Sequence, residues 1–114
     1  MIATAGTEAR RALARELGAE AVVDHRAPDW GREVKRLTGG RGADVVVEHV
    51  GAATWDTSVR CLARGGRLVT CGGTTGAQVS LLLPHLFIKN LSILGSTMGP
   101  RSALPTILEH LAAG

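Results

Sequence analysis

Hydrophobic positions along this chain switch between short apolar runs and stripes at helical spacing. The short runs are aliphatic and β-branched, and they predict five strands, at 1–5, 21–24, 44–48, 68–71 and 91–96. The stripes lie between and after these runs and predict five helices, the fourth of them short. Alternation of this kind is typical of a doubly wound α/β fold with a parallel sheet and right-handed crossovers.

The run Val45-Val46-Val47 identifies the centre of the predicted sheet. Apolar and polar residues do not alternate within it, which predicts a strand covered by helices on both faces. The stretch 44–51, D-V-V-V-E-H-V-G, then becomes polar and ends in Gly51. Ligands of open α/β sheets bind beyond the carboxyl ends of the strands, so this end is a candidate ligand edge. Glu48 is equally compatible with a buried acid and with a helix-cap contact.

The first helix carries the clearest start and stop signals. Thr7 is a good N-cap and Gly18 a good residue after the last turn, while Ala9, Leu13 and Leu17 recur four apart. This spacing predicts one buried stripe. Similar spacing predicts helices at 30–37, at 55–62 with an end before Gly65, and at 104–111 after a Ser102 cap. One short helix is predicted at 84–89, with Pro84 in its first turn.

Composition narrows the function classes. The 114 residues fit one domain, and 45% of them are hydrophobic, enough for a core. The net charge of +3 comes from scattered arginines, and with no Tyr and one Phe there is little surface for stacking bases, which argues against nucleic-acid binding. The most apolar run, 81–88, is too short to span a membrane, and the N-terminus lacks a signal-peptide pattern.

The cysteines and histidines do not form a recognisable reactive site. Cys61 and Cys71 lack CxxC spacing, and we predict two reduced, buried thiols in a cytoplasmic protein. None of the four histidines is spaced with a cysteine or carboxylate as a metal ligand would be. We therefore assign no catalytic residue and expect no zinc site in this chain.

Glycine clusters mark two kinds of turn. Gly39 to Gly42 resembles a phosphate loop but precedes a strand, so we interpret it as an ordinary αβ turn. Gly72-Gly73 follows a strand, on the ligand edge. There, close approach to a flat ligand and an ordinary turn are equally compatible with the sequence.

The first strand–helix turn, 4–11, has the composition of an anion site. It combines a helix N-terminus, hydroxyl groups, Arg10 and Arg11. No acidic residue ends the first strand, whereas strands that favour NAD usually place Asp or Glu there. The alternative is that both arginines simply form a solvated helix face.

Five stretches in order resemble the medium-chain dehydrogenase/reductase superfamily, and most closely its zinc-type alcohol dehydrogenases and quinone oxidoreductases. They are I-A-T-A-G-T-E-A-R-R-A-L-A-R-E-L-G-A, V-V-D-H-R, T-G-G-R-G-A-D-V-V-V-E-H-V-G, G-G-R-L-V-T-C-G-G-T-T-G and L-S-I-L-G-S-T-M-G. The resemblance implies that residues 1–114 are a partial Rossmann domain without the family's first strand, its glycine-rich fingerprint or a catalytic domain. That strand is central in the family order 3-2-1-4-5-6. We therefore expect the chain either to close the gap, as 3-2-4-5-6, or to borrow a strand.

The resemblance also implies positions for a dinucleotide. Gly6, Thr7 and Arg10 match the loop that holds the adenosine ribose and its 2′-phosphate in NADPH-using relatives. His25 falls where quinone oxidoreductases often have a tyrosine near that phosphate. Strand ends that line the nicotinamide side correspond to Val50, Gly51, Cys71, Gly72, Gly73, Thr74, Leu94, Gly95 and Ser96.

The functional expectation is a cofactor-binding fragment of an oxidoreductase that uses NADP(H) rather than NAD(H). Its substrate would be an alcohol, a carbonyl or a quinone-type compound, and the isolated chain would be inactive. The alternative is a non-catalytic remnant that acts as a folding or dimerisation module. A methyltransferase-like domain is less compatible, because the first turn is not glycine-rich. Residues 91–96 match the edge strand that pairs across the dimer in many relatives, so we predict a homodimer through 91–96.

Overall fold

The computed structural model describes residues 1–113, and within them five strands alternate with five α-helices. The order is β1 (Ile2–Thr4), α1 (Glu8–Glu16), β2 (Ala21–Val23), α2 (Trp30–Leu37), β3 (Ala43–Glu48), α3 (Trp55–Cys61), β4 (Leu62–Thr70), α4 (Leu83–Lys89), β5 (Ser92–Gly95) and α5 (Leu104–Ala113), with a 3₁₀ turn (Arg101–Ala103) before α5. The predicted α/β alternation is confirmed. None of these helices is both long enough and apolar enough to cross a membrane.

The strands form two parallel sheets rather than one. β1 pairs with β2, and β3 pairs with β4, which pairs with β5 in the register Val46, Leu68, Ile93. Within residues 1–113, β1 does not pair with β3. The expectation that the chain closes its own gap is therefore wrong, while strand borrowing stays a prediction.

Helix packing, rather than strand pairing, connects the two sheets. Trp30 and Val34 of α2 pack in one apolar cluster with Val23 of β2 and Cys61 of α3. A Cβ atom at Gly31 would lie 2.6 Å from Cγ2 of Thr57, so glycine lets α2 approach α3 closely. A second cluster lies against β3–β5 and consists of Trp55, Val59, Leu62, Leu68 and Leu91. Because α2 already spans from β2 to α3, the sheets keep their positions without a shared ladder.

The third helix is shorter, and the strand after it longer, than the sequence predicts. The helix ends at Cys61, and Leu62 is already extended, with φ −63° and ψ 140°. Lys89 Nζ donates to the carbonyl oxygens of Arg60 at 3.0 Å and Leu62 at 2.9 Å, which satisfies acceptors at the helix end. Gly65 has φ +74°, which lets the early part of β4 bend. The apolar Leu62 therefore belongs to the sheet and not to the helical stripe.

Two predicted burial patterns are wrong. Val45 and Val47 are 57% and 68% exposed, because alternate side chains of β3 leave only the face of Val46 on the core. Leu13 and Leu17 of α1 are 51% and 76% exposed, and the apolar stripe of α5 is also exposed. No element within residues 1–113 covers these surfaces, so apolar periodicity identified the elements but not their exposure.

Candidate functional site

The carboxyl ends of the strands carry two groups of the predicted site residues. Gly6, Thr7, Arg10 and His25 follow β1 and β2, and the remaining predicted residues follow β3, β4 or β5 or lie at the end of β5. The two groups therefore belong to different sheets. Parallel strands place their ends at a common edge within each sheet, as the sequence argument required.

The first group surrounds the turn into α1. We call Gly6, Thr7, Arg10, Arg11 and Arg26 the arginine corner. Thr7 caps the helix as predicted, with extended backbone and with its Oγ1 accepting from the backbone N–H of Arg10 at 3.4 Å. The Arg10 side chain is exposed and makes no ion pair within the described chain. It is therefore available to an anion at this helix N-terminus.

Arg11 has a structural role at the same corner. Its guanidinium pairs with Asp24 at 2.8 Å and with Glu8 at 3.0 Å, and it donates to the carbonyl oxygen of Ala5 at 3.1 Å. The side chain is only 17% exposed. The pKa of Asp24 is lowered, first by the hydrogen bond from the backbone N–H of Arg26 and further by Arg11. Both nearby carboxylates are thus engaged by arginine, and the alternative of a purely solvated face is wrong for Arg11.

Arg26 is a corner residue that the sequence argument missed. A Cβ atom built on Gly6 would lie 2.5 Å from its Nε, so the Arg26 side chain lies directly against the turn. His25 is half-buried, and its Nδ1 is shielded from solvent without a hydrogen-bond partner. Arg26 follows the end of β2, which pairs beside β1. Its position after a predicted strand was the sequence signal that could have identified it as a corner residue.

The second group is organised by the buried carboxylate of Glu48. Residues 48–54 form what we call the glutamate loop, and Glu48 itself is 3% exposed. Its oxygens accept from the backbone N–H groups of Val50 at 2.7 Å and Gly51 at 3.1 Å. They also accept from the hydroxyls of Thr54 at 2.9 Å and Ser58 at 2.6 Å. Glu48 is therefore both of the things the sequence allowed, a buried acid and a contact at the start of α3.

The protonation of Glu48 follows from these donors. Burial is the largest single influence and raises its pKa, but the hydroxyl and backbone donors together outweigh burial and lower the pKa below its ordinary value of 4.5. The carboxylate is therefore ionised at neutral pH and holds the loop. It is not suited to donate a proton.

The glutamate loop is joined to the loop that follows β4. Backbone hydrogen bonds run from Thr75 to Val50 at 2.7 Å, from Cys71 to Glu48 at 3.1 Å and from Ala52 to Gly76 at 3.2 Å. Three glycines make this contact possible, because they have no side chain that would separate the two loops. Gly51 has φ +90°, and a Cβ atom there would lie 2.9 Å from Cα of Gly73, while one at Gly72 would lie 3.1 Å from the carbonyl oxygen of His49.

The sequence left open whether the glycines after β4 allow close approach of a flat ligand or form an ordinary turn. Close loop–loop packing by itself explains the glycines at positions 51, 72 and 73. It also leaves the strand ends fixed beside an open surface.

That surface is a groove of about 450 Å³ at the ends of β4 and β5. Predicted residues of the nicotinamide side that line it are Cys71, Gly72, Gly73, Gly95 and Ser96. Others that were predicted, Val50, Gly51, Thr74 and Leu94, lie outside its lining. The prediction of two buried thiols is wrong for Cys71, which is exposed beside the groove because β4 ends one residue before it, whereas Cys61 is buried.

A separate cavity of about 400 Å³ lies between α2 and α3. Its lining includes Arg32, Lys35, Arg60 and Cys61, but no residue of the glutamate loop or of the groove. Arg60 is paired with Asp56 at 2.5 Å, and burial raises the pKa of the Cys61 thiol against the lowering effect of nearby cations. The thiol is thus protonated and unreactive at neutral pH. Among residues 1–113, no three His, Cys, Asp or Glu side chains are grouped as metal ligands would be.

Known proteins match this chain over nearly its whole length. A family model described as zinc-binding dehydrogenase matches residues 1–113. A quinone oxidoreductase of Pseudomonas aeruginosa is 33% identical, and the match covers 98% of this chain and 35% of that protein. A solved NAD-dependent alcohol dehydrogenase is 45% identical with a TM-score of 0.90, over 96% of this chain and 32% of that one.

A third relative was solved with a cofactor. The quinone oxidoreductase of Escherichia coli in complex with NADPH is 34% identical with a TM-score of 0.76, over 83% of this chain and 29% of that one. The chain spans about a third of the length of such relatives. One of these two solved relatives is NAD-dependent and the other was solved with NADPH, so the relatives alone do not decide between the two cofactors. By the family model and these identities, this chain belongs to the zinc-binding dehydrogenase family, within the medium-chain dehydrogenase/reductase superfamily that its sequence resembles.

Proposed function

We propose that this chain is a cofactor-binding part of an NADP(H)-dependent oxidoreductase whose substrate is an alcohol, a carbonyl or a quinone-type compound. Oxidoreductase relatives of both the alcohol dehydrogenase and the quinone oxidoreductase kind support the reaction class. When bound, the nicotinamide supplies the hydride chemistry, and the protein supplies position and polarity.

The observation that carries the cofactor preference is the charge balance at the arginine corner. The carboxylates of Glu8 and Asp24 are both engaged by Arg11, so neither is free to accept from a ribose 2′-hydroxyl. Arg10 and Arg26 make no ion pair within residues 1–113. A guanidinium suits a 2′-phosphate, whereas an NAD site uses a free acid at this place.

The groove at the ends of β4 and β5 suits the flat nicotinamide ring by its shape rather than by charge. Gly72, Gly73 and Gly95 leave the groove wall without side chains there, and Ser96 and Cys71 add small polar atoms. Glu48 keeps the adjoining loop in place through its four donors. These residues would bind and orient a ring without supplying an acid or base of their own.

Charge reversal at Arg10 tests the preference. Arg10→Glu should weaken binding of NADPH far more than binding of NADH, measured by nicotinamide fluorescence titration. The matched control is Arg32→Glu, which reverses the charge of another exposed arginine without an ion pair among residues 1–113, on α2 and away from the corner. Equal effects of Arg10→Glu on both cofactors would show that Arg10 is only a solvated helix residue.

We also propose that two copies pair through residues 91–96, antiparallel across a two-fold axis. β5 pairs only with β4 among the described strands, so one of its edges is free. Ser92–Gly95 has no charged residue, and Leu94 is 47% exposed. An uncharged, apolar edge favours strand pairing between copies.

Light scattering on the wild type, Ile93→Pro and Ser92→Lys tests this dimer. Ile93 packs against the core, so Ser92→Lys, at an exposed position, separates loss of pairing from loss of folding. We expect a wild-type dimer and a folded, monomeric Ser92→Lys variant. A wild type that stays monomeric at high concentration would refute the dimer. A dimer without any nucleotide affinity would favour the non-catalytic module.

Two further expectations belong to the same proposal. Residues 1–114 alone should turn over no alcohol and bind no zinc, and stoichiometric zinc in purified protein would contradict this. The cytoplasm is the proposed location, because Cys61 and Cys71 are both free thiols, as is usual in reducing compartments.

A further inference from the structure

Thr75 lies in the loop that follows β4, on the side of that loop that faces away from the groove. Gly73 and Ala77, two residues before and after it, line the groove, whereas Thr75 does not. A tight turn joins them, in which the backbone N–H of Gly76 donates to the carbonyl oxygen of Gly73 at 3.1 Å. The loop therefore forms part of the groove wall with one side and uses Thr75 on the other.

The hydroxyl of Thr75 connects this loop to the glutamate loop. Its Oγ1 donates to the carbonyl oxygen of Val50 at 2.7 Å and accepts from the backbone N–H of Ala53 at 3.0 Å. The backbone N–H of Thr75 donates to the same Val50 oxygen at 2.7 Å. One side chain thus joins segments 22 and 25 residues apart in the sequence.

The segment that Thr75 contacts is itself held in place. The backbone N–H of Val50 donates to the buried Glu48 carboxylate at 2.7 Å, so Val50 is bonded through its N–H on one side and through its carbonyl oxygen to Thr75 on the other. Thr74 makes a longer bond of the same kind, from its hydroxyl to the carbonyl oxygen of His49 at 3.2 Å. The position fixed by Glu48 is therefore passed on to the loop after β4, chiefly through Thr75.

We infer that Thr75 is a positioning residue, which acts through Gly72 and Gly73 to orient the nicotinamide ring in the groove. The inference rests on the proposed function and adds a residue that does not touch the ring. A wall built from glycines has much conformational freedom, and restricting that freedom when a ligand binds lowers affinity. The hydroxyl of Thr75 restricts it beforehand, because it ties the wall to a loop that a buried carboxylate already holds.

Two ligands that differ only in the nicotinamide ring test this on the full chain. They are NADPH and 2′-phospho-ADP-ribose, and the ratio of their dissociation constants, measured by calorimetry, gives the contribution of the ring. Thr75→Val keeps the shape of the side chain without the hydroxyl, and Thr75→Ser keeps the hydroxyl. The matched control is Thr106→Val on α5, outside the lining of the groove. Hydrogen exchange at the Ala53 amide reports the bridge without any cofactor.

We expect Thr75→Val to reduce the contribution of the ring by about fivefold, which corresponds to about 1 kcal/mol, the net contribution of one hydrogen bond. Affinity for 2′-phospho-ADP-ribose should not change, and exchange at the Ala53 amide should become faster. Thr75→Ser and Thr106→Val should both behave like the wild type.

An unchanged contribution of the ring in Thr75→Val, or an unchanged exchange rate at the Ala53 amide, overturns the role of Thr75 and leaves the proposed function standing. Equal loss of both ligands also overturns it, because that marks a merely structural role. So does a Thr75→Ser variant as impaired as Thr75→Val, since the hydroxyl would then not be the cause. A wild type that binds neither ligand overturns the proposed function together with this inference.

Discussion

The glutamate loop and the arginine corner both follow parallel strands, yet they are built in opposite ways. In the glutamate loop the charge is buried, and Glu48 has hydrogen-bond donors on both carboxylate oxygens. In the arginine corner the charges are mostly exposed, and two of them, Arg10 and Arg26, have no ion-pair partner within residues 1–113. The charge of the glutamate loop is engaged by backbone N–H groups and hydroxyls of the same region, whereas the arginine corner exposes unpaired charge to solvent.

This difference indicates that the glutamate loop maintains local structure, whereas the arginine corner is suited to bind a ligand. A buried, satisfied carboxylate stabilises one loop conformation, because each of its donors would otherwise be unpaired. An unpaired exposed cation contributes little to folding but is available to an anionic ligand. We therefore expect substitutions in the glutamate loop to change stability, and substitutions in the arginine corner to change ligand preference.

The largest expected effect is that of Glu48→Ala. It leaves two backbone N–H groups and two hydroxyls without their acceptor, and we expect a loss of about 4 kcal/mol in the free energy of unfolding. The matched control Glu33→Ala removes an exposed pair with Arg36 and should change the free energy of unfolding little. Urea unfolding followed by circular dichroism measures both. Equal costs would mean that Glu48 does not hold the loop.

Leucine truncations extend the comparison to the two sheets. Leu68 of β4 is fully buried, so Leu68→Ala should cost about 3 kcal/mol. Leu13 of α1 is 51% exposed in the other unit, so Leu13→Ala should cost less than about 1 kcal/mol. A large cost at Leu13, measured by the same unfolding experiment, would show that the stripe of α1 is buried in solution, as by an associated copy.

The smallest effect concerns acid stability. Because the pKa of Glu48 is lowered on folding, its contribution is complete above the ordinary value of 4.5 and is lost as the pH falls through the lower folded value. Glu48→Gln does not titrate, so the stability difference between wild type and Glu48→Gln should narrow below pH 4.5. Unfolding curves between pH 7 and pH 3 measure it. A difference that stays constant or widens would mean that the folded pKa of Glu48 is not lowered.

Local sequence signals determined the elements of this protein and the edge at which its candidate site residues lie. Thr7 as a cap and the helical spacing of Trp30 and Val34 each predicted an element that the structure contains, because such signals act within one or two turns of chain. The Val45–Val47 run likewise predicted β3. Its polar end predicts a ligand edge, which stays a prediction. The resemblance of five ordered stretches added the family, which no single motif would have supplied.

Tertiary structure alone decided which apolar faces are covered and which charges are free. Val45 and Leu13 have the pattern of buried residues but are exposed, because burial depends on a neighbouring element and not on periodicity. The engagement of Asp24 by Arg11, and the position of Arg26 against Gly6, join residues thirteen to twenty apart through the pairing of β1 with β2. Sequence spacing cannot show such contacts, since they arise only when two strand ends are brought to the same edge.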